Sequence, residues 1–113
     1  MSSLSELKTG ISSLWTVKSE NGASNATKST GLATAVTALK AALVETGSTG
    51  LDTLARAEVK SALSKCIFSQ EMIAGSHNGS AFSITEQNVH ADYQLIDEAY
   101  ALCAVAVTRA LIS

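Results

Sequence analysis

The stretch "VHADYQLIDEAYALCAVAVTRAL", residues 89–111, decides the fold class. Val89, Tyr93, Ile96, Tyr100, Cys103, Val107 and Leu111 follow one another at steps of four and three. That spacing keeps side chains on one face of a helix and is the seam pattern of a helical bundle. Just upstream, Thr85 suits an N-cap, with Ile84 and Val89 placed as a hydrophobic staple and Ser83 with Glu86 as an alternative capping box. A long helix is therefore expected from Thr85 to the end of the chain. Its second half, "AYALCAVAV", is apolar on every side, the signature of a helix enclosed on every side.

Working back from this helix, Gly75 is the expected stop of another, running from Leu51 to Ala74. Leu51, Leu54, Val59, Ala62, Leu63, Cys66, Ile67 and Ile73 lie near one side of it. Asn78-Gly79 would reverse the chain between the two. A first helix is expected over Ser3–Lys18, with Leu4, Leu7, Ile11, Leu14 and Trp15 as its stripe and Gly10 as a weak point. A polar linker follows over 21–29, then a second helix over 31–45 with Leu32, Val36, Leu39 and Leu43 on one face. The repeated "STGLATA" (29–35) and "STGLDTL" (48–54) read as a helix starter used twice, with Thr49 and Asp52 as a capping box. A phosphate-binding turn fits less well, because no lysine follows in the P-loop position and Asp52 would repel an anion.

The expected architecture is a single all-α domain over 1–113: a four-helix bundle-like fold with a long antiparallel C-terminal hairpin and two shorter N-terminal helices. By rise per residue the last two helices would reach ~35–40 Å and the first two only ~22–24 Å. Part of the hairpin would then be left uncovered.

Composition narrows the function classes. Hydrophobic residues make up 46% and charged residues 16%, with no proline, so the chain has material for a core and an unusually neutral surface. Residues 1–65 carry seven bases and five acids, and residues 66–113 one base and five acids. Halves of opposite sign can attract within a bundle or between protomers. The basic residues stand singly, which argues against nucleic-acid binding. The longest unbroken apolar run, Ala99–Val107, is far short of a bilayer span, and the N-terminus has no apolar leader. Asn25-Ala26-Thr27 and Asn78-Gly79-Ser80 match the glycosylation sequon, as chance allows in so Ser/Thr-rich a chain.

The candidate chemistry is sparse. Cys66 and Cys103 fall on apolar stripes, and counting from the expected turn separates them by ~15 Å along the axis, too far for a disulfide. Free buried thiols suit a reducing, cytoplasmic compartment. The same composition also suits a subunit of a viral or extracellular filament. Glu71, His77, Glu86 and His90 all belong to one end of the hairpin, and Glu86 and His90 share a helix face. They form one candidate metal cluster, set against the reading that the group is a solvated turn and helix face. No nucleophile–base pair, dinucleotide loop, haem spacing or iron–sulfur spacing is present, so neither catalysis nor a cofactor is expected. Trp15 reads as a core or interface anchor, and Phe82 as a cover over the bundle end.

The expected function is non-enzymatic and acts through association: a structural subunit, adaptor or small chaperone that pairs with its own copies or another protein. Tyr93, Ile96, Tyr100, Val105, Val107 and Leu111 are the expected interface. A small ligand- or metal-binding bundle using the turn end is the alternative.

Overall fold

The computed structural model describes residues 3–19, 25–44, 50–74 and 89–112, with all side chains within them except those of 25, 26, 73, 74, 89–93 and 112. These residues form four helices: α1 (Ser3–Ser19), α2 (Asn25–Val44), α3 (Thr53–Ala74) and α4 (Val89–Ile112). There is no strand among the described residues.

Specific contacts set the topology. Leu39 meets Gly10 and Val17 meets Gly31, so α2 runs antiparallel to α1. The Arg56 guanidinium donates to the Leu43 carbonyl at 3.0 Å across the α2–α3 turn. Lys65–Glu98 at 2.8 Å and Glu58–Arg109 at 3.1 Å set α4 antiparallel to α3. Lys18–Asp97 and the Trp15–Tyr100 ring pair close the ring of helices by joining α1 to α4. The result is an up-down-up-down bundle of 44 × 27 × 19 Å. Its accessible surface of 6008 Å² is close to the ~5,900 Å² that surface scaling gives for a compact monomer of this mass. The chain closes a core by itself.

Much of that core follows one pattern. α1 buries Ser3, Leu7, Gly10, Leu14 and Val17, at steps of four and three. α2 buries Leu32, Ala35, Leu39 and Ala42, α3 buries Ala55, Val59, Ala62 and Cys66, and α4 buries Ile96, Ala99, Cys103 and Ala106. Leu7 with Gly10, Leu32 with Ala35, Leu39 with Ala42, Ala55 with Val59 and Ile96 with Ala99 each set a larger residue beside a small one. Large residues of one helix can then sit over small residues of the next, and the axes can approach closely. Each enclosed leucine contributes about 1.5–3 kcal/mol over an exposed one.

The small residues turn the seams away from the faces expected from hydrophobicity. In α4 Ile96 and Cys103 are on the seam as expected, but Ala99 and Ala106 take the places assigned to Tyr100 and Val107. In α3 Leu54 and Ile67 are exposed, and in α1 Trp15 is exposed while Gly10 and Val17 are buried. Where a small residue lets two helices approach closely, the larger neighbour expected there stands at the flank instead. For the same reason "AYALCAVAV" is not enclosed all round by its own chain: Ala99, Cys103 and Ala106 are buried, whereas Ala101 and Val105 face outward.

Three local expectations are corrected. First, α2 begins at Asn25, inside the expected linker, and Gly31 lies within the helix. Gly31 supplies space there, since a Cβ would collide with the Val17 side chain. Gly10 has the same role: a Cβ would stand 2.8 Å from Leu39 Cδ2. The four helices are consequently 17, 20, 22 and 24 residues long, so the large mismatch between a short and a long pair disappears. Second, the first "STG" lies inside a helix, and at the second the cap is Asp52 itself. Its Oδ1 accepts from the Ala55 N–H at 2.8 Å while its carbonyl accepts from the Arg56 N–H at 2.8 Å. Third, the ion pairs of the α3–α4 hairpin bring Cys66 to the level of residues 97–101. Its offset from Cys103 is then about 3–9 Å, well below the expected ~15 Å, because the ion pairs set a different register from the one counted from the expected turn. Thr85, Ile84, Ser83 and Glu86, expected to start the last helix, lie outside the described residues.

Candidate interaction surface

The outward side of α4 and its border with α1 carry the side chains that the seams leave over. Trp15 is 53% exposed, Val105 46% and Leu111 61%. Between them Tyr100, Ala104 and Val107 are half-buried. Antiparallel register places Trp15 beside Tyr100, and the N-terminal turn of α1, with half-buried Leu4, beside Leu111. An apolar strip of Leu4, Trp15, Tyr100, Val107 and Leu111 therefore runs along the α1–α4 border, while Val105, about 140° round α4 from Tyr100, stands apart on the outward face.

At one end of the strip the aromatic pair is held in place. The Trp15 and Tyr100 rings lie 5.7 Å apart at 44°. Lys18 reaches between them, with Nζ 5.3 Å from the Trp15 centroid and 5.6 Å from that of Tyr100, and ends 3.4 Å from Asp97. Cation–π attraction and an ion pair thus fix the amphipathic rings against solvent, which reduces the entropy they would lose on meeting a partner.

At the other end, Ala104, Val105, Thr108 and Arg109 line an open depression of about 350 Å³. The Thr108 hydroxyl donates back to the Ala104 carbonyl at 2.9 Å, satisfying itself within the helix. Arg109 is tied to Glu58 by two hydrogen bonds, Nε to Oε1 at 3.1 Å and Nη2 to Oε2 at 3.2 Å. This pairing holds the guanidinium above its ordinary pKa and fixes its plane at the edge of the depression. A second open depression, about 360 Å³, lies between α1 and α2 and is lined by Glu6, Thr9, Thr34 and Thr37 among others. The Thr9 and Thr34 hydroxyls also donate to carbonyls four residues back.

Two ion pairs, Lys65–Glu98 and Glu58–Arg109, join α3 to α4. Glu98 accepts from Lys65 at 2.8 Å and from Gln94 at 3.2 Å, and these bonds hold its carboxyl below the usual range. Lys18–Asp97 and Lys65–Glu98 each join a base of the first 65 residues to an acid of the remainder, so the opposite charges of the two parts meet within the bundle.

Among the six residues expected at an interface, Val105 and Leu111 are exposed and Tyr100 and Val107 half-buried. Ile96 is fully enclosed in its own core and leaves no area for a partner. The side chain of Tyr93 lies outside the described residues. Lys18, Ala104 and Thr108 complete the surface without having been singled out in the sequence; Thr108 follows Ala101 by seven positions, a spacing visible once the seam is known.

Of the candidate metal cluster, Glu71 alone has a described side chain; His77 and Glu86 lie outside the described residues, and His90 is placed by its backbone only. Phe82 also lies outside them. Among the described residues no group of three potential ligands comes together, and no helix is long and apolar enough to cross a membrane. Cys66 and Cys103 are free and buried, and burial pushes both thiols up to about 12, with Cys66 adding to the shift at Cys103. They remain protonated and behave as small apolar groups. Comparisons with protein-family models, with curated proteins and with solved structures give no match.

Proposed function

We propose that this protein is a non-enzymatic subunit that acts by associating with its own copies through the α1–α4 face. The observation that carries the reading is Trp15. The chain's largest apolar side chain stands half in water, clamped by Lys18 and Tyr100, at the head of a strip that continues to Leu111. Single exposed apolar residues are ordinary on a protein surface. A fixed tryptophan in line with half-buried Val107 and exposed Leu111 has the composition of an interface centre, where aromatic anchors dominate the energy.

Because the monomer already closes its core, the association is between folded chains and reversible, suited to a structural subunit or adaptor. The free thiols fit a reducing compartment. Sedimentation equilibrium from low to high micromolar concentration tests the reading. The expected result is a mass that rises with concentration; a single 11.7 kDa species throughout would overturn it.

A further inference from the structure

The outward face of α4 has a ridge at steps of four: Asp97, Ala101, Val105 and Arg109. An acid stands at one end, a base at the other, and two small uncharged residues lie between. Laid parallel on a copy of itself, the ridge sets like charge against like. Laid antiparallel, with a two-fold axis between Ala101 and Val105, it sets Asp97 against Arg109 of the copy and Ala101 against Val105. Ala101 and Val105 are short enough for two helices to approach closely, and ridges at steps of four pack into one another.

An independent feature selects the same axis. Trp15 stands at the level of Tyr100. A two-fold axis at the level of Cys103 carries that level to residue 106, the middle of the depression lined by Ala104, Val105, Thr108 and Arg109. The depression, about 350 Å³, has room for an indole. Arg109 uses Nε and Nη2 on Glu58, which leaves three of its five N–H donors to face a carboxylate and the ring.

Resting on the self-association proposed above, we infer that the partner is a second copy of this chain, docked by that two-fold axis. The α4 helices run antiparallel, Trp15 of each copy fills the depression of the other, and Asp97 faces Arg109 at both ends. The interface is isologous, so each residue acts twice.

Two variants and one cross-link test the geometry. Trp15→Ala removes the knob, and Thr108→Arg fills the hole from an exposed position. Each should weaken the dimer at least ~30-fold, the loss expected of a hot spot, with helical circular dichroism unchanged. In an equimolar mixture, Asp97→Cys and Arg109→Cys chains should be joined by a short bis-maleimide into a heterodimer. Neither should be joined alone, because each position lies about 18 Å along the axis from its own copy. The enclosed native thiols do not compete. A wild-type chain that stays monomeric removes the association itself. A wild-type chain that associates, while both variants keep its affinity or the mixture gives no heterodimer, overturns this docking and leaves association through another face.

Discussion

α1 has two sides that meet neighbours in opposite ways. Toward α2 it offers Gly10 and Val17, and the other helix answers with Leu39 and Gly31, a contact so close that neither glycine has room for a methyl group. Toward α4 it offers Trp15 and Lys18, and the contact is made by rings, a long alkyl chain and an ion pair at the rim. The first side gains its energy from excluded water and dense packing, which makes it intolerant of added volume. The second retains exposed apolar area and a cation that can re-pair, so it can take a partner without disturbing the seam. The small-residue seam confers stability, and the large residues that it displaces are left for recognition.

The sharpest way to break this comparison is chemical. In the unfolded chain the two thiols ionise near their ordinary 9.0, while burial in the seam holds both up at about 12. Their folded pKa is the raised one, so their contribution to stability is complete below about pH 9 and is lost as pH rises toward 12. The slope within that window is about 1.4 kcal/mol per pH unit for each thiol titrated. Urea melts at pH 8, 9, 10 and 11 should show the fall, and Cys66→Ala with Cys103→Ala should flatten it. An unchanged slope in the double variant would mean that the thiols are not part of the seam.

Next in size is Gly31→Ala. In an open helix this change stabilises by up to about 1 kcal/mol. Here the new methyl meets Val17, and a net loss of about 1–3 kcal/mol is expected in thermal or urea denaturation. Adding Val17→Ala should recover part of it, since the space is then shared; no loss in the single variant would show the α1–α2 contact to be loose.

The smallest effect belongs to the other side. Asp97→Asn removes one partner of an ion pair whose carboxylate is 60% exposed. A shift below about 1 kcal/mol, screened further by salt, is expected in the melting of the monomer. A larger shift would mean that the α1–α4 border is held shut by charge rather than by its rings.

How much of this was legible depends on residue size. The number of helices, their order and most of their ends follow from leucine and valine spacing, punctuated by glycine and polar turns. The seams follow only in part: Leu7, Leu14, Leu32, Leu39, Val59, Ile96 and Cys103 are buried as expected, but a hydrophobicity reading gives Tyr100 and Trp15 more weight than Ala99 and Gly10. Close packing reverses that order at Gly10 and Ala99, where short side chains let the helices approach and Trp15 and Tyr100 stand at the flanks. The start of α2 was hidden for a related reason. Residues 25–31 contain no large apolar side chain, and Gly31, which ordinarily marks a boundary, serves here as a gap for Val17. At the candidate surface Val105 and Leu111 were legible as surplus apolar residues. The clamp on Trp15 was not, since it needs the register that brings residues 15, 18, 97 and 100 together.

The position of that tryptophan also sets what light can report. Trp15 is the chain's single indole, and among the described residues the enclosed seams contain no aromatic ring. Fluorescence from this protein therefore watches the border rather than the core. Melting the bundle moves an already half-wetted indole only a little further to the red, whereas covering it with a neighbour shifts emission to the blue and raises anisotropy. Folding, followed through the helical signal near 222 nm, and encounter, followed through the indole, thus register in separate channels without any label being attached.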